Sequence, residues 1–581
     1  MKMIAHYLRP HLKRVIWGLS VKFIGTICEL FLPWALAYML DEIVPIGDVG
    51  RIFLWGGMMV LCSLLCAVSN IKANQNASGV ARDTTRTLRH DLYARITHLS
   101  SAQIDRVGVP SLVSRLTTDS YNVHQMIDRV QRLGVRAPIL LVGGILVTAT
   151  LDAYLTRVLL LVIPLIGISV TFISRKGVPL FGQLQKKIDT LVRVTRENIT
   201  GARVIKALSK TQAEQARFEQ SNNDVSYSDV RANLVMNLSH PVMNLLLNIG
   251  LVMVIVTGAY RVNLGLSEPG RIIAFMSYFT LIAGAMMGLT RLFVVFSRAS
   301  ASAERIAEIL AMPEDLQTLP AAETMDEQSH IAFEDVTFSY NKRAPAVEHI
   351  SFRLRRGQSL GLIGPTGSGK TTVAALCMRL YDVDEGCVRI DGADVRTLDK
   401  EALHTRFGVV FQNDVVFSDT VRENIDFGRG LTDAQVEAAA ADAQAVGYIS
   451  QLPEKYGHPL NTQGVNLSGG QRQRLLISRA LAADPEFLIL DDASSALDYR
   501  TDAALRRALA RQHADTTSII IAARVSSIKH CDEILVMDEG KIIGRGTHEQ
   551  LLETCRAYQE MYHTQMGGMT DDEGRSQGTR G

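Results

Sequence analysis

Ser359-Leu-Gly-Leu-Ile-Gly364-Pro-Thr-Gly-Ser-Gly-Lys370-Thr371-Thr372 decides the fold of the second half of this 581-residue chain. The short apolar run Ser359–Ile363 predicts a buried strand. Glycines at 364, 367 and 369 let the backbone after it curl, so that successive N–H groups converge on one point. A helix starting near Lys370 adds its positive N-terminal end. The combination is a phosphate loop. Gly364, Pro365, Thr366, Gly367, Ser368 and Gly369 cradle a nucleoside triphosphate, with Thr372 just behind; Lys370 reaches the β/γ-phosphates and the Thr371 hydroxyl ligates Mg²⁺. A flexible Gly/Ser turn would account for the glycines but not for Lys-Thr at that offset. A second apolar run, Phe487–Leu490, predicts another strand, whose C-terminal edge presents the Asp491 carboxylate.

The first half of the chain reads differently. Apolar residues make up 47% of the chain, mean hydropathy is +0.11, and the apolar residues crowd before residue 300. Six stretches approach or exceed the length that crosses about 30 Å of hydrocarbon: 15–40, 52–71, 137–151, 158–174, 242–260 and 272–295. The third and fourth are short, so each is expected to extend past its apolar core. The connections 41–51, 152–157 and 261–271 hold at most two Lys/Arg, whereas 72–136 holds ten and 175–231 holds eleven. The basic loops belong on the cytoplasmic side, and their composition is helical, so they read as extensions of the spans. Residues 1–14 are basic and amphipathic with no cleavage signal, which predicts an interfacial helix.

Around the phosphate loop further motifs fall in order: Phe333-Glu-Asp-Val-Thr-Phe-Ser-Tyr340, Val409-Val-Phe-Gln412-Asn, Leu467-Ser468-Gly469-Gly470-Gln471 and Ser495-Ala-Leu-Asp498. Together with Asp491 they resemble the ATPase domain of the ABC transporter family, over about 331–563. The resemblance implies an all-α transmembrane domain of six helices (15–311), a linker (312–330), an α/β P-loop ATPase domain with a helical subdomain (331–563) and a disordered tail (564–581). It further implies that Tyr340 stacks on adenine, that Gln412 touches Mg²⁺ and senses the γ-phosphate, that Asp491 holds Mg²⁺ through water, and that Ser495–Asp498 crosses a domain interface. Leu467–Gln471 is the signature that completes a site on another ATPase domain. The segments Asp105–Arg115 and Glu197–Lys206 resemble the turns that transmit closure to the spans.

Two positions depart from the family pattern. Where the family has Glu after the strand Asp, this chain has Asp492, one methylene shorter. Where it has a His that contacts the γ-phosphate, this chain has Ala523. Both losses fall on one nucleotide face, so the resemblance implies the impaired-site subunit of a heterodimeric exporter that binds ATP and Mg²⁺ but hydrolyses weakly. The alternatives are a homodimer that tolerates Asp492, with Ala523 an engineered trap, and an ATP-gated regulatory subunit that carries no substrate. The expected partners are a second half-transporter, the lipid bilayer and an amphipathic drug, lipid or peptide. The expected location is a bacterial inner or plasma membrane, with the ATPase domain and both termini cytoplasmic.

A net charge of +2 with no basic-aromatic stripe excludes a nucleic-acid partner. The seven scattered cysteines read as core packing rather than metal ligands. Ionisable residues within spans call for a reason. Glu29 and Arg291 are candidates for a translocation cavity, with Lys22 beside them. An interhelical hydrogen bond for Glu29, and snorkelling for Lys22 and Arg291, are the competing readings.

Overall fold

The computed structural model describes residues 1–320, 329–340 and 342–574; the side chain of Arg291 and the tail from 575 lie outside the described residues. The chain divides into two compact units: Met1–Thr97 with Pro110–Met312, and His98–Val109 with the chain from Pro313 onward.

Six helical stretches of the first unit are long and apolar enough to cross a membrane. They run well beyond it. Val49–Thr97 is a single helix of 49 residues and Ala153–Thr200 one of 48, which at 1.5 Å per residue is about 70 Å each. The third and fourth spans, short by apolar count, grow as expected: Arg136–Leu151 follows a helix at Ser120–Leu133, and the fourth continues to Thr200. The turn between them is narrower than its polar composition implies. Asp152 alone separates the two helices and caps the second by accepting from the Tyr154 and Leu155 amides. Arg261 holds the other carboxylate oxygen at 3.1 Å. The basic N-terminus forms the short helix Lys2–Leu8, whose Tyr7 hydroxyl donates to Asp91 at 2.9 Å.

The second unit holds two sheets. Strands β1 (Ile331–Phe338), β2 (Val347–Leu354), β4 (Glu385–Ile390) and β5 (Ala393–Asp394) form an antiparallel sheet ordered β2-β1-β4-β5. The other sheet is ordered β10-β9-β3-β8-β7-β6, from β3 (Ser359–Ile363), β6 (Phe407–Val410), β7 (Phe487–Asp491), β8 (Thr517–Ile521), β9 (Glu533–Asp538) and β10 (Lys541–Gly546). All its neighbours pair parallel except β10, which closes the edge antiparallel to β9. Side chains alternate across it. Phe487, Ile489, Ile519 and Ile521 face the core that also takes Val373 and Leu376 of the helix Lys370–Cys377. Leu488 and Leu490 face a second core with the helices Asp433–Asp442 and Gly469–Leu481, which form the expected helical subdomain.

Both ends of the expected ATPase domain differ from the sequence reading. The first half of the linker is packed into this unit: the Asp315 amide donates to His98 O, Lys400 pairs with Asp315, and Arg379 donates to Gln317 O at 2.7 Å. Residues 321–328 lie outside the described residues. At the other end, the helix from Arg556 continues to Gly574, past Thr564 where composition marked a disordered tail.

Candidate nucleotide site

Parallel pairing brings β3 and β7 out on the same edge of the sheet, with β8 between them, so the phosphate loop and Asp491 emerge together. Gly364 has no alternative: a Cβ there would lie 2.0 Å from Met537 O. Gly369, at φ +95°, starts the helix Lys370–Cys377 in the left-handed region, with Ala346 O where a Cβ would go. Lys370 folds back over the loop, donating to the carbonyls of Gly364 (3.0 Å) and Pro365 (2.8 Å) and to Ser368 Oγ (3.2 Å). Burial pushes its ammonium below the ordinary value, opposed by Asp491 and Asp492.

Thr371 donates its hydroxyl to Asp491 at 2.7 Å, and Asp491 is 2% exposed. Burial raises its carboxyl above the usual range, with the Thr371 bond opposing the shift and the Asp492 charge adding to it. A buried carboxylate that burial penalises, held against a hydroxyl, is a donor set that a hard divalent cation would satisfy. The residues fit Mg²⁺.

Tyr340 is 47% exposed at the end of β1, and its hydroxyl lies 3.1 Å from Thr372 Oγ1. Phe338 and Tyr381 pack edge-on against its ring at 4.9 and 5.1 Å. Tyr381, which nothing in the sequence singled out, donates to Asp105 at 2.6 Å, so the first of the two turn segments reaches the aromatic cluster. Gln412 stands exposed just after β6.

The two departures lie where β7 and β8 end. Asp492 sits at φ +51°, a left-handed backbone that Asp adopts more readily than most residues. Its carbonyl accepts from Gln473 (3.2 Å) and Ser495 Oγ (2.9 Å), which pins the turn into Ser495–Asp498. Asp498 then caps the helix Tyr499–Gln512 by accepting from the Thr501 amide and hydroxyl, and those bonds hold its carboxyl below the usual range. Ala523 is exposed and offers the site a methyl group. Gln565, from the stretch read as tail, staples the C-terminal helix over this segment: it donates to Ala523 O at 2.9 Å and accepts from the Val525 amide at 2.8 Å. No local pattern marks a contact 42 residues apart.

The signature is intact and preformed. Ser468 caps the helix Gly469–Leu481, its Oγ accepting from the Gln471 amide while Gln471 Oε1 accepts from the Ser468 amide. The positive end of that helix, with glycines at 469 and 470, is built to receive an anion.

Glu29 and Lys22 have partners within the membrane unit. Arg136 grips Glu29 with two bonds, of 2.7 and 3.1 Å, and Lys22 donates to Asn70 and Asn74 at 2.7 and 3.2 Å. These interhelical bonds account for both residues without a translocated ligand. For Arg291 the question lies outside the described residues.

Both units match known proteins. Residues 15–286 match the family model described as ABC transporter transmembrane region, and residues 347–495 match the model described as ABC transporter. An uncharacterized ABC transporter ATP-binding protein of Mycobacterium tuberculosis is 34% identical over 574 residues, 97% of this chain and 98% of the relative. The ATP-dependent lipid A-core flippase of Haemophilus ducreyi is 30% identical over 570 residues, 96% and 97% of the two chains. A solved bacterial Atm1-family ABC exporter with ATP bound superposes with a TM-score of 0.81 at 24% identity, covering 95% of this chain and 99% of that one, a likeness of fold.

Proposed function

This chain belongs to the ABC transporter family as a half-transporter of the exporter type, an ATP- and Mg²⁺-dependent integral membrane protein, and we propose that it works as the impaired-site subunit of a heterodimer. The observation that carries this reading is the pairing of Asp492 and Ala523 on one nucleotide face with a signature whose capping box is fully made. The chain's own loop would hold ATP and turn it over slowly, while Leu467–Gln471 would complete a competent site on the partner. A carboxylate drawn back by about 1 Å costs on the order of a hundredfold in rate, and Ala523 offers the γ-phosphate no polar group.

An exposed apolar surface supports a partner. In and beside the short helix Ala202–Ala207, Ile199, Val204 and Leu208 are exposed at 73%, 61% and 64%, apolar surface that supports docking against a second ATPase domain. ATP-driven closure of two such domains would switch the spans from inward- to outward-facing. The cargo in this reading is amphipathic, a drug, lipid or peptide; the lipid-flippase name of the Haemophilus relative supports the lipid member of that set. The ATPase domain and both termini lie on the cytoplasmic side, in keeping with the basic loops.

Purification of the chain expressed with its neighbouring coding sequence tests the reading. A second six-span chain should co-purify, with Glu and His at the positions of Asp492 and Ala523 and an altered signature. Active transport by this chain alone would overturn it.

A further inference from the structure

The face of the parallel sheet turned away from the phosphate-loop helix is incompletely covered. Parallel sheets are ordinarily buried on both faces. Here Ile519 and Ile521 are buried against the phosphate-loop side, but the alternate residues Ser518 and Ile520 are only partly buried. They floor a cavity of about 710 Å³ between β7, β8, the helix Tyr499–Gln512 and the chain leading into β9. Its volume is that of a small-molecule site.

The walls divide by chemistry. Leu488, Leu509 and Ile520 make an apolar floor, and Arg507, Lys529 and His530 stand around it. Among the described residues, neither Arg507 nor Lys529 forms an ion pair. Of the other charged groups of the lining, Arg506 pairs with Asp502 at 3.0 Å and His513 lies 3.2 Å from Asp442, while Asp532 keeps its negative charge, accepting only from the Ser359 amide and hydroxyl at 2.8 and 2.7 Å. With Arg507 and Lys529 set against the one carboxylate of the lining, Asp532, the cavity presents a net positive charge over an apolar pit.

We propose that this cavity is a second ligand site of the ATPase unit, separate from the nucleotide site, and that it takes a small soluble anion with a flat apolar body, an aryl carboxylate or sulfonate. The body would cover Leu488, Leu509 and Ile520, and the anion would meet Arg507 and Lys529. The site lies close to the hydrolytic face, since Leu488 and Ile520 each stand three residues before Asp491 and Ala523. Ser527, also in the lining, sits 3.1 Å from Ser494 in the turn that follows Asp492.

The test is calorimetric titration of 2-naphthoate into the full chain in lipid nanodiscs, with empty nanodiscs as the partitioning background and neutral 2-naphthamide as the uncharged counterpart. Naphthoate should saturate one site per chain. Naphthamide, and naphthoate on the Arg507→Gln/Lys529→Gln variant, should bind on the order of tenfold more weakly. Ala510→Trp places bulk at an exposed helix position on the cavity wall and should abolish saturable binding, while ATP affinity stays unchanged in both variants. Heat no greater than that of empty nanodiscs would overturn the proposal. So would equal affinity for acid and amide, or binding untouched by Ala510→Trp.

Discussion

One side of this chain's nucleotide site keeps the residues of the family pattern and the other departs from them at Asp492 and Ala523. On the binding side, the loop Gly364–Gly369, Lys370, Thr371 and Asp491 are bonded to one another, and Tyr340 packs edge-on among aromatics. On the hydrolytic side, Asp492 and Ala523 hold their backbone in order but present a shortened carboxylate and a methyl group. The first set is bound into the loop: Lys370 donates to two loop carbonyls and to the buried Ser368 hydroxyl, and the buried Asp491 carboxylate accepts from Thr371. Glu and His at 492 and 523 would serve only the reaction. Binding and chemistry can therefore separate in one site without harm to the structure.

The sharpest way to break that contrast lies at the signature. Ser468→Asp keeps a good helix cap but sets a negative charge where a partner-bound phosphate would sit. ATP turnover of the assembled pair should fall about a hundredfold, the scale of removing an anion-stabilising contact. Unchanged turnover would mean that the signature completes no working site.

Lys370→Ala should weaken ATP binding to this chain's own loop by about ten- to a hundredfold, the range for bonds to a charged group, as measured by nucleotide titration of the full chain. Turnover of the pair should fall less than with Ser468→Asp, because in the proposed pair the competent site would use the partner's loop. Unchanged affinity would refute the assigned role.

What the sequence made legible follows from locality. The phosphate loop with its helix and the strand ending in Asp491 are each specified within a dozen residues, and the structure has both. The six spans were legible because hydrophobic length is itself local. What escaped is long-range. Glu29 and Arg136 are 107 residues apart, Tyr381 and Asp105 are 276 apart, and Gln565 reaches back 42 residues to Ala523. No periodicity encodes such pairs. Composition also misread 564–574, where a polar, glycine-containing stretch continues a helix already begun at Arg556.

Two smaller effects sharpen the comparison. Gln565→Ala removes both bonds of the staple across Ala523 and Val525 and should destabilise the docked C-terminal helix by about 1 kcal/mol, read as faster amide exchange at Val525. Unaltered exchange would mean that packing alone holds the helix. His330, buried before β1, touches Thr517 Oγ1 at 2.6 Å and faces Asp391 and Glu486 at 3.5 and 3.9 Å. Burial lowers its folded-state affinity for a proton from the ordinary 6.5, against the pull of Asp391. Its contribution is therefore fully present above 6.5 and is lost as pH falls below that value, where the unfolded chain takes up a proton that the folded chain resists. The melting temperature of the ATPase unit should drop across that window, and His330→Gln should flatten the slope. An identical slope in the variant would remove His330 from the account.

The most direct measurement is turnover at this chain's loop alone, in a pair whose partner carries Glu→Gln at its own catalytic position. The account predicts slow hydrolysis with Asp492 and Ala523, and a several-fold rise with Asp492→Glu and Ala523→His together. The two act as a unit and need not add singly. If the unmodified site already turns over as fast as the partner's, the impaired-site account is wrong.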